Sequence, residues 1–155
     1  MIEDMGVRLH SSRIWCIAMN KLNKTHVLAA SLLALTMLNT AYADDVKILA
    51  SDFKSSGGYR WSVNVTLKHG DTGWDHYADN WRVVDGEGNT LGERVLLHPH
   101  VDEQPFTRGL GGVKVPEGIT TVYIEAHDKV HGWTSNRLKV DLSKATGGRL
   151  KVEAE

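Results

Sequence analysis

Sulfur is missing from most of this chain. Cys16 and all four methionines lie within the first 43 residues. Residues 44–155 therefore hold no sulfur, which excludes disulfides, thiolate metal sites, iron–sulfur clusters, thiol nucleophiles and methionine-based copper(I) sites from that part of the chain. Any metal ion bound there must be held by nitrogen and oxygen ligands.

Positive charge is also scarce. The first 43 residues contain four of the 18 basic and two of the 19 acidic residues, which leaves 14 basic and 17 acidic residues and a net charge near −3. Nucleic-acid-binding surfaces need clustered positive charge. We therefore expect no nucleic-acid partner.

A short apolar run near the N terminus has the features of an export signal. Two lysines precede Val27–Leu38, a run of 12 residues, and Ala41-Tyr42-Ala43 supplies small residues that a signal peptidase accepts. A bilayer span needs roughly 20 apolar residues. We expect residues 1–43 to be a leader, with translation beginning at Met19, and the mature protein from Asp44 to be periplasmic or secreted and to have no membrane span.

The rest of the chain alternates apolar and polar residues in short runs, separated by Gly, Asp, Asn and Pro, which is typical of antiparallel strands. One face of the second run, for example, carries Trp61, Val63, Val65 and Leu67. Seven strands are predicted, at Val46–Phe53, Tyr59–Lys68, Asp79–Val84, Thr90–Leu97, Phe106–Val115, Thr120–His127 and Arg137–Leu142.

Seven short strands in about 100 residues predict an all-β fold, a seven-stranded antiparallel immunoglobulin-like or fibronectin-III-like sandwich over residues 44–142. Trp81 is expected in its core, beside Trp61. Residues 143–155 form a charged tail, which is either loose or adds an edge strand through Leu150 and Val152.

Six histidines follow the leader, and all of them border three connections between predicted strands. In an up-and-down strand order the second, fourth and sixth connections lie at the same end of a sandwich. That end is expected to gather all six, with Asp75 and Asp128 nearby. These histidines are His69, His76, His98, His100, His127 and His131.

The spacing of these histidines favours a metal site. An extended His98-Pro99-His100 segment projects both rings to one side, roughly 6–7 Å apart at the backbone. His127 and His131 would lie about 13 Å apart on a continuous strand, so they cooperate only if the chain turns, which Gly132 favours. The alternative is a set of ordinary loop histidines that hydrogen-bond to neighbouring carboxylates.

Imidazoles with a carboxylate suit zinc(II), copper(II), nickel(II) or iron(II), and zinc or copper(II) is the favoured ion here. His69, beside Gly70 and Asp71, is the weakest candidate. The predicted metal ligands are His98, His100, His127, His131, His76, Asp75 and Asp128.

Aromatic residues in the same connections offer a different function. Trp74, Tyr77 and Trp133 could form a surface that binds a carbohydrate or a protein, with the histidines incidental, or they could cover the end of the core. Arg108 could clamp an anionic ligand or form a salt bridge with an acidic neighbour such as Asp102 or Glu125.

Three segments resemble those of small, uncharacterised exported bacterial proteins with an immunoglobulin-like sandwich. The segments are Trp74–Asp79, His98–Phe106 and Ala126–Gly132. The resemblance implies export and the sandwich fold but no established activity. Because the residues identify no nucleophile or substrate pocket, a metal-binding protein is favoured over an enzyme. Its expected partners are the metal ion and another periplasmic or envelope protein.

Overall fold

The computed structural model describes residues 45–155, so the predicted leader, its cleavage site and the Met19 start lie outside the described residues. Residues 45–155 include no helix with the length and apolar character needed to cross a membrane. They form nine strands and a 3-10 turn at Leu142–Lys144. The strands are β1 (Lys47–Gly57), β2 (Arg60–Lys68), β3 (Ala78–Val84), β4 (Thr90–Val95), β5 (Phe106–Lys114), β6 (Thr121–Asp128), β7 (Gly132–Trp133), β8 (Leu138–Asp141) and β9 (Arg149–Glu153).

The strands build two antiparallel sheets, which confirms the all-β prediction. One sheet has the order β5-β2-β1-β9, and the other has the order β4-β3-β6, with both β7 and β8 paired to β6. Buried residues from both sheets form one hydrophobic cluster. The arrangement is therefore a sandwich whose core lies between the two sheets.

The predicted number of seven strands is wrong, because the described residues form nine. Seven of the nine match the predicted runs to within a few residues at each end. The strand β7 has only two residues, too few to show any alternation in the sequence. The strand β9 is the edge strand that was one of the two alternatives for residues 143–155. It pairs with β1, with Leu150 opposite Phe53 and Val152 opposite Ser51.

The core follows the alternation of the sequence. Trp81 on β3 is completely buried at its centre, while Trp61 is partly buried and packs edge-to-face on Phe53, with ring centroids 6.1 Å apart. Since no disulfide is possible after residue 43, burial of this surface must supply the stability. The inward faces of β2 and β6 are Val63, Val65 and Leu67, and Val122, Ile124 and Ala126.

The β2–β3, β4–β5 and β6–β7 connections meet at one end of the sandwich, as their parity predicts. We call this end the histidine pole. Gln104 ties two of the connections together, because its Oε1 accepts a hydrogen bond from the His69 N–H at 3.0 Å and its Nε2 donates to the His100 carbonyl at 3.1 Å. The β6–β7 connection begins at Asp128 and contacts the β2–β3 connection there, because His76 Nε2 lies 3.6 Å from Asp128 Oδ1.

Asp85 organises the hairpin between β3 and β4. Its Oδ1 accepts hydrogen bonds from the backbone N–H groups of Glu87 (3.0 Å) and Asn89 (2.8 Å), and its Oδ2 accepts one from Asn89 Nδ2 at 2.8 Å. The Asn89 side chain is the main cause of a lowered pKa for Asp85, and the backbone donors add to it and outweigh burial, which raises the pKa. The hairpin therefore favours the ionised carboxylate.

Replacing Asp85 with asparagine is expected to lower the melting temperature at pH 7. A carboxylate whose pKa is lower in the folded state stabilises the fold above its unfolded pKa, and this contribution is lost as the pH falls through the folded pKa. The difference from the parent protein should therefore shrink below about pH 4. Melting curves from pH 7 to pH 2.5 measure this difference in melting temperature, with the exposed Glu87→Gln as the control. A difference that stays the same at every pH would contradict the prediction.

Candidate metal centre

Two polar residues extend the inward faces of the core strands into the histidine pole. His69 lies two residues beyond the buried Leu67 of β2, and Asp128 lies two residues beyond the buried Ala126 of β6. Because alternate residues of a strand face the same side, both side chains point inward. Their side chains are 0% and 1% exposed. The apolar core thus ends in a layer of buried polar groups.

Asp71 fixes the orientation of His69. Its Oδ1 lies 2.6 Å from His69 Nδ1 and accepts the Ala78 N–H at 3.0 Å, while its Oδ2 accepts the His100 N–H at 2.6 Å. A hydrogen bond from Nδ1–H to the carboxylate leaves the lone pair on Nε2, which is the arrangement seen for metal-binding histidines. This Nε2 is buried and has no hydrogen-bond partner among the described residues.

A tight turn places His76 against His69. The His76 carbonyl accepts the Thr72 N–H at 3.0 Å, and the His76 N–H donates to the Gly73 carbonyl at 3.2 Å. The rings of His69 and His76 meet edge-to-face, with centroids 4.9 Å apart. The Nε2 of His76 is also buried and has no hydrogen-bond partner in the described part of the chain.

Asp128 is held by the turn between β6 and β7. Its Oδ1 accepts the N–H groups of Val130 and His131, both at 2.8 Å, and His131 Nδ1 lies 3.1 Å from the same oxygen. Burial alone would raise the pKa of Asp128, but these two backbone donors and the nearby His131 lower it. Gly132, at φ 83°, takes the left-handed conformation that closes the turn. The carboxylate is therefore ionised and fixed in place.

His69, His76 and Asp128 lie close enough together to hold a metal ion. One ligand atom from each lies within 4.8 Å of the other two. Two imidazoles on one tetrahedral zinc place their ring centroids roughly 5 Å apart, which matches the 4.9 Å between these rings. Two histidines and one carboxylate bind zinc and other borderline divalent ions and leave coordination positions open.

His131 lies beside this group on the side that faces solvent. Its ring centroid is 5.1 Å from that of His76, and its side chain is 29% exposed. Because its Nδ1 contacts Asp128, it positions that carboxylate.

The other predicted ligands lie apart from this group. His127 is on the opposite face of β6 from Asp128, where its Nδ1 lies 2.5 Å from Asp79 Oδ1. Asp75 is exposed on the β2–β3 connection. His98 and His100 lie next to each other on the β4–β5 connection, with ring centroids 4.6 Å apart.

The candidate surface of aromatic residues is mostly covered. Trp74 is 64% exposed, but Tyr77 is buried. The guanidinium of Arg82 lies 3.9 Å from the ring centroid of Trp133 and covers that ring. Arg108 pairs with Glu103, at 2.9 Å, instead of the predicted Asp102 or Glu125.

Part of the chain is similar to a known protein. The chain is 40% identical over 97 residues to a protein from Halomicrobium mukohataei named "Putative lipoprotein". The match covers 63% of this chain and 47% of the relative, so the chain spans about half of the relative's length. No protein-family model and no solved structure matches the chain.

Proposed function

We propose that this is an exported metal-binding protein that holds a divalent transition metal, zinc(II) or copper(II), at the histidine pole. The metal ligands are His69, His76 and Asp128, with Asp71 and His131 holding the first and last of them in place. The observation that carries the proposal is the convergence of these three ligand groups within 4.8 Å.

Two ring nitrogens without a hydrogen bond support a cation at this place, and the nearest carboxylate oxygen to His76 Nε2 is Asp128 Oδ1 at 3.6 Å. Nε2 of His69 and Nε2 of His76 are both buried without a hydrogen-bond partner among residues 45–155. A buried polar atom left in this state costs about 1–3 kcal/mol. A metal ion would satisfy both nitrogens and would neutralise the buried charge of Asp128 at the same time.

Export is part of the same proposal. It is supported by the leader-like pattern of residues 1–43 and by the name of the Halomicrobium relative, which describes a lipoprotein. The immunoglobulin-like or fibronectin-III-like character of the sandwich belongs here too, and the two antiparallel sheets support it.

The carbohydrate- or protein-binding alternative has weaker support. It needs several exposed rings side by side, and of Trp74, Tyr77 and Trp133 only Trp74 presents most of its surface to solvent. The close packing of histidines at the pole also argues against treating them as incidental.

Replacing His76 with alanine is expected to weaken zinc binding by at least about 100-fold, because even the loss of a group that supports a ligand costs 10–100-fold in affinity. Calorimetric titration of the tag-free protein at pH 7 measures this change. The parent protein should also melt at a higher temperature with zinc, and much less so at pH 5, where protonated imidazoles no longer bind the ion.

The matched control is His127→Ala, which removes an imidazole from the opposite face of β6 and should leave zinc binding unchanged. The proposal is wrong if the parent protein binds zinc, copper(II), nickel and iron(II) no more tightly than millimolar. An equal loss of zinc affinity in His76→Ala and His127→Ala would show that zinc binding does not depend on the group of His69, His76 and Asp128.

A further inference from the structure

His100 is a second buried imidazole whose surroundings in the protein leave its nitrogens unused. Its side chain is 1% exposed, and one face stacks on Phe106, with centroids 3.8 Å apart and planes at 10°. Neither ring nitrogen has a hydrogen-bond partner among the described residues. The nearest oxygen, Asp71 Oδ2, lies 3.9 Å from Nδ1 and instead accepts a hydrogen bond from the backbone N–H of His100. Packing on Phe106 explains the burial of the ring but not the unpaired nitrogens.

His98 lies beside His100 at a distance suited to a shared ion. The ring centroids are 4.6 Å apart, with the planes tilted by 43°. Two imidazoles that occupy adjacent positions on one metal ion place their centroids roughly 4.5–5 Å apart. His98 is exposed, with its Nδ1 only 3.2 Å from the neighbouring Pro99 carbonyl, so its ring is free to adjust towards an ion.

The positive charge beside this pair of histidines is neutralised by an acidic residue. The guanidinium of Arg108 would oppose a cation, but its Nη2 lies 2.9 Å from Glu103 Oε2. Glu103 belongs to the same turn, since its N–H donates to the His100 carbonyl at 3.3 Å. The buried carboxylate of Asp71 adds negative charge on the inner side.

We propose that His98 and His100 form a second cation site at the histidine pole, distinct from the group of His69, His76 and Asp128. Two nitrogens from one short segment, with water in the remaining positions, suit the tetragonal geometry of copper(II) or nickel(II). The site does not depend on the proposed function, because the two groups have no ligand in common. Asp71 contacts His69 through Oδ1 and His100 through Oδ2, and Gln104 bridges the backbone of the same two histidines.

Copper(II) titration of the tag-free protein tests this site, with bound copper counted after gel filtration and its nitrogen ligands identified by electron paramagnetic resonance. We expect two equivalents for the parent protein. His98→Ala removes an exposed side chain and should bind one equivalent with an unchanged circular dichroism spectrum. His127→Ala, the control, should keep both.

His76→Ala separates the two sites. If it loses one equivalent and His98→Ala loses the other, both sites exist. If only His98→Ala loses copper, the second site stands without the first. Retention of the full stoichiometry and an unchanged resonance spectrum in His98→Ala would overturn the second site, whatever His76→Ala does.

Discussion

Replacing Trp81 with alanine is expected to lower the free energy of unfolding by about 3–5 kcal/mol. The indole is completely buried on β3, between its neighbours β4 and β6, and faces the residues of the opposite sheet in the shared core. Its removal leaves a large cavity that the surrounding sheets fill only in part. A loss of this size is a large fraction of the stability of a domain of about 110 residues.

Two further tryptophan variants make the measurement specific. Trp74→Ala removes an indole that is 64% exposed at the histidine pole, and it should change the unfolding free energy by less than about 1 kcal/mol. Trp81→Phe keeps an aromatic ring in the core and should cost less than alanine, since Trp81 Nε1 has no hydrogen-bond partner among residues 45–155. Urea unfolding followed by circular dichroism compares them; equal midpoints for Trp81→Ala and Trp74→Ala would contradict the assignment of the core.

The sequence predicts the sandwich well because burial imposes a period of two on each strand. Val63, Val65 and Leu67 on β2 illustrate this alternation. The alternation does not predict a strand that is too short to show it, or one in which charged residues flank the few apolar ones. The two residues of β7 have no period, and in β9 Leu150 and Val152 are surrounded by charged residues.

The same alternation pointed to two residues of the candidate metal centre. Continuing the inward alternation by one more step reaches His69 from Leu67 and Asp128 from Ala126, which places both in the interior. His127, next to Asp128, must then face outward. The predicted ligand set included His127, the last residue of the predicted strand Thr120–His127, and gave His69 the lowest rank. The alternation of the strands favours the opposite order, because it places His69 in the interior and His127 outside it.

The position of His76 could not be read from the sequence. It depends on the turn in which the Thr72 N–H reaches the His76 carbonyl, and no strand period extends through that turn. The buried hydrogen bonds of Asp71 were equally out of reach, because they connect residues up to 29 positions apart in the chain. Parity predicts which connections share an end of the sandwich, but the contacts within that end depend on the loop conformations.

Asp71→Asn is expected to weaken zinc binding by about 10–100-fold, although Asp71 is not itself one of the three proposed ligands. The carboxylate accepts the Nδ1 proton of His69 at 2.6 Å and so keeps the lone pair on Nε2, where the metal would bind. An asparagine amide keeps the size of the side chain but removes its charge and one of its acceptors.

The apo form of this variant should also be less stable, by about 1–3 kcal/mol, because two backbone N–H groups compete for the one remaining oxygen. Affinity is therefore measured well below the melting temperature, and nitrogen NMR of the imidazoles reports the His69 tautomer directly. The exposed Asp75→Asn, four residues along the same connection, is the control and should match the parent protein in both measurements. Unchanged zinc affinity in Asp71→Asn, with the proton of His69 still on Nδ1, would show that the carboxylate stabilises the fold without orienting the ligand.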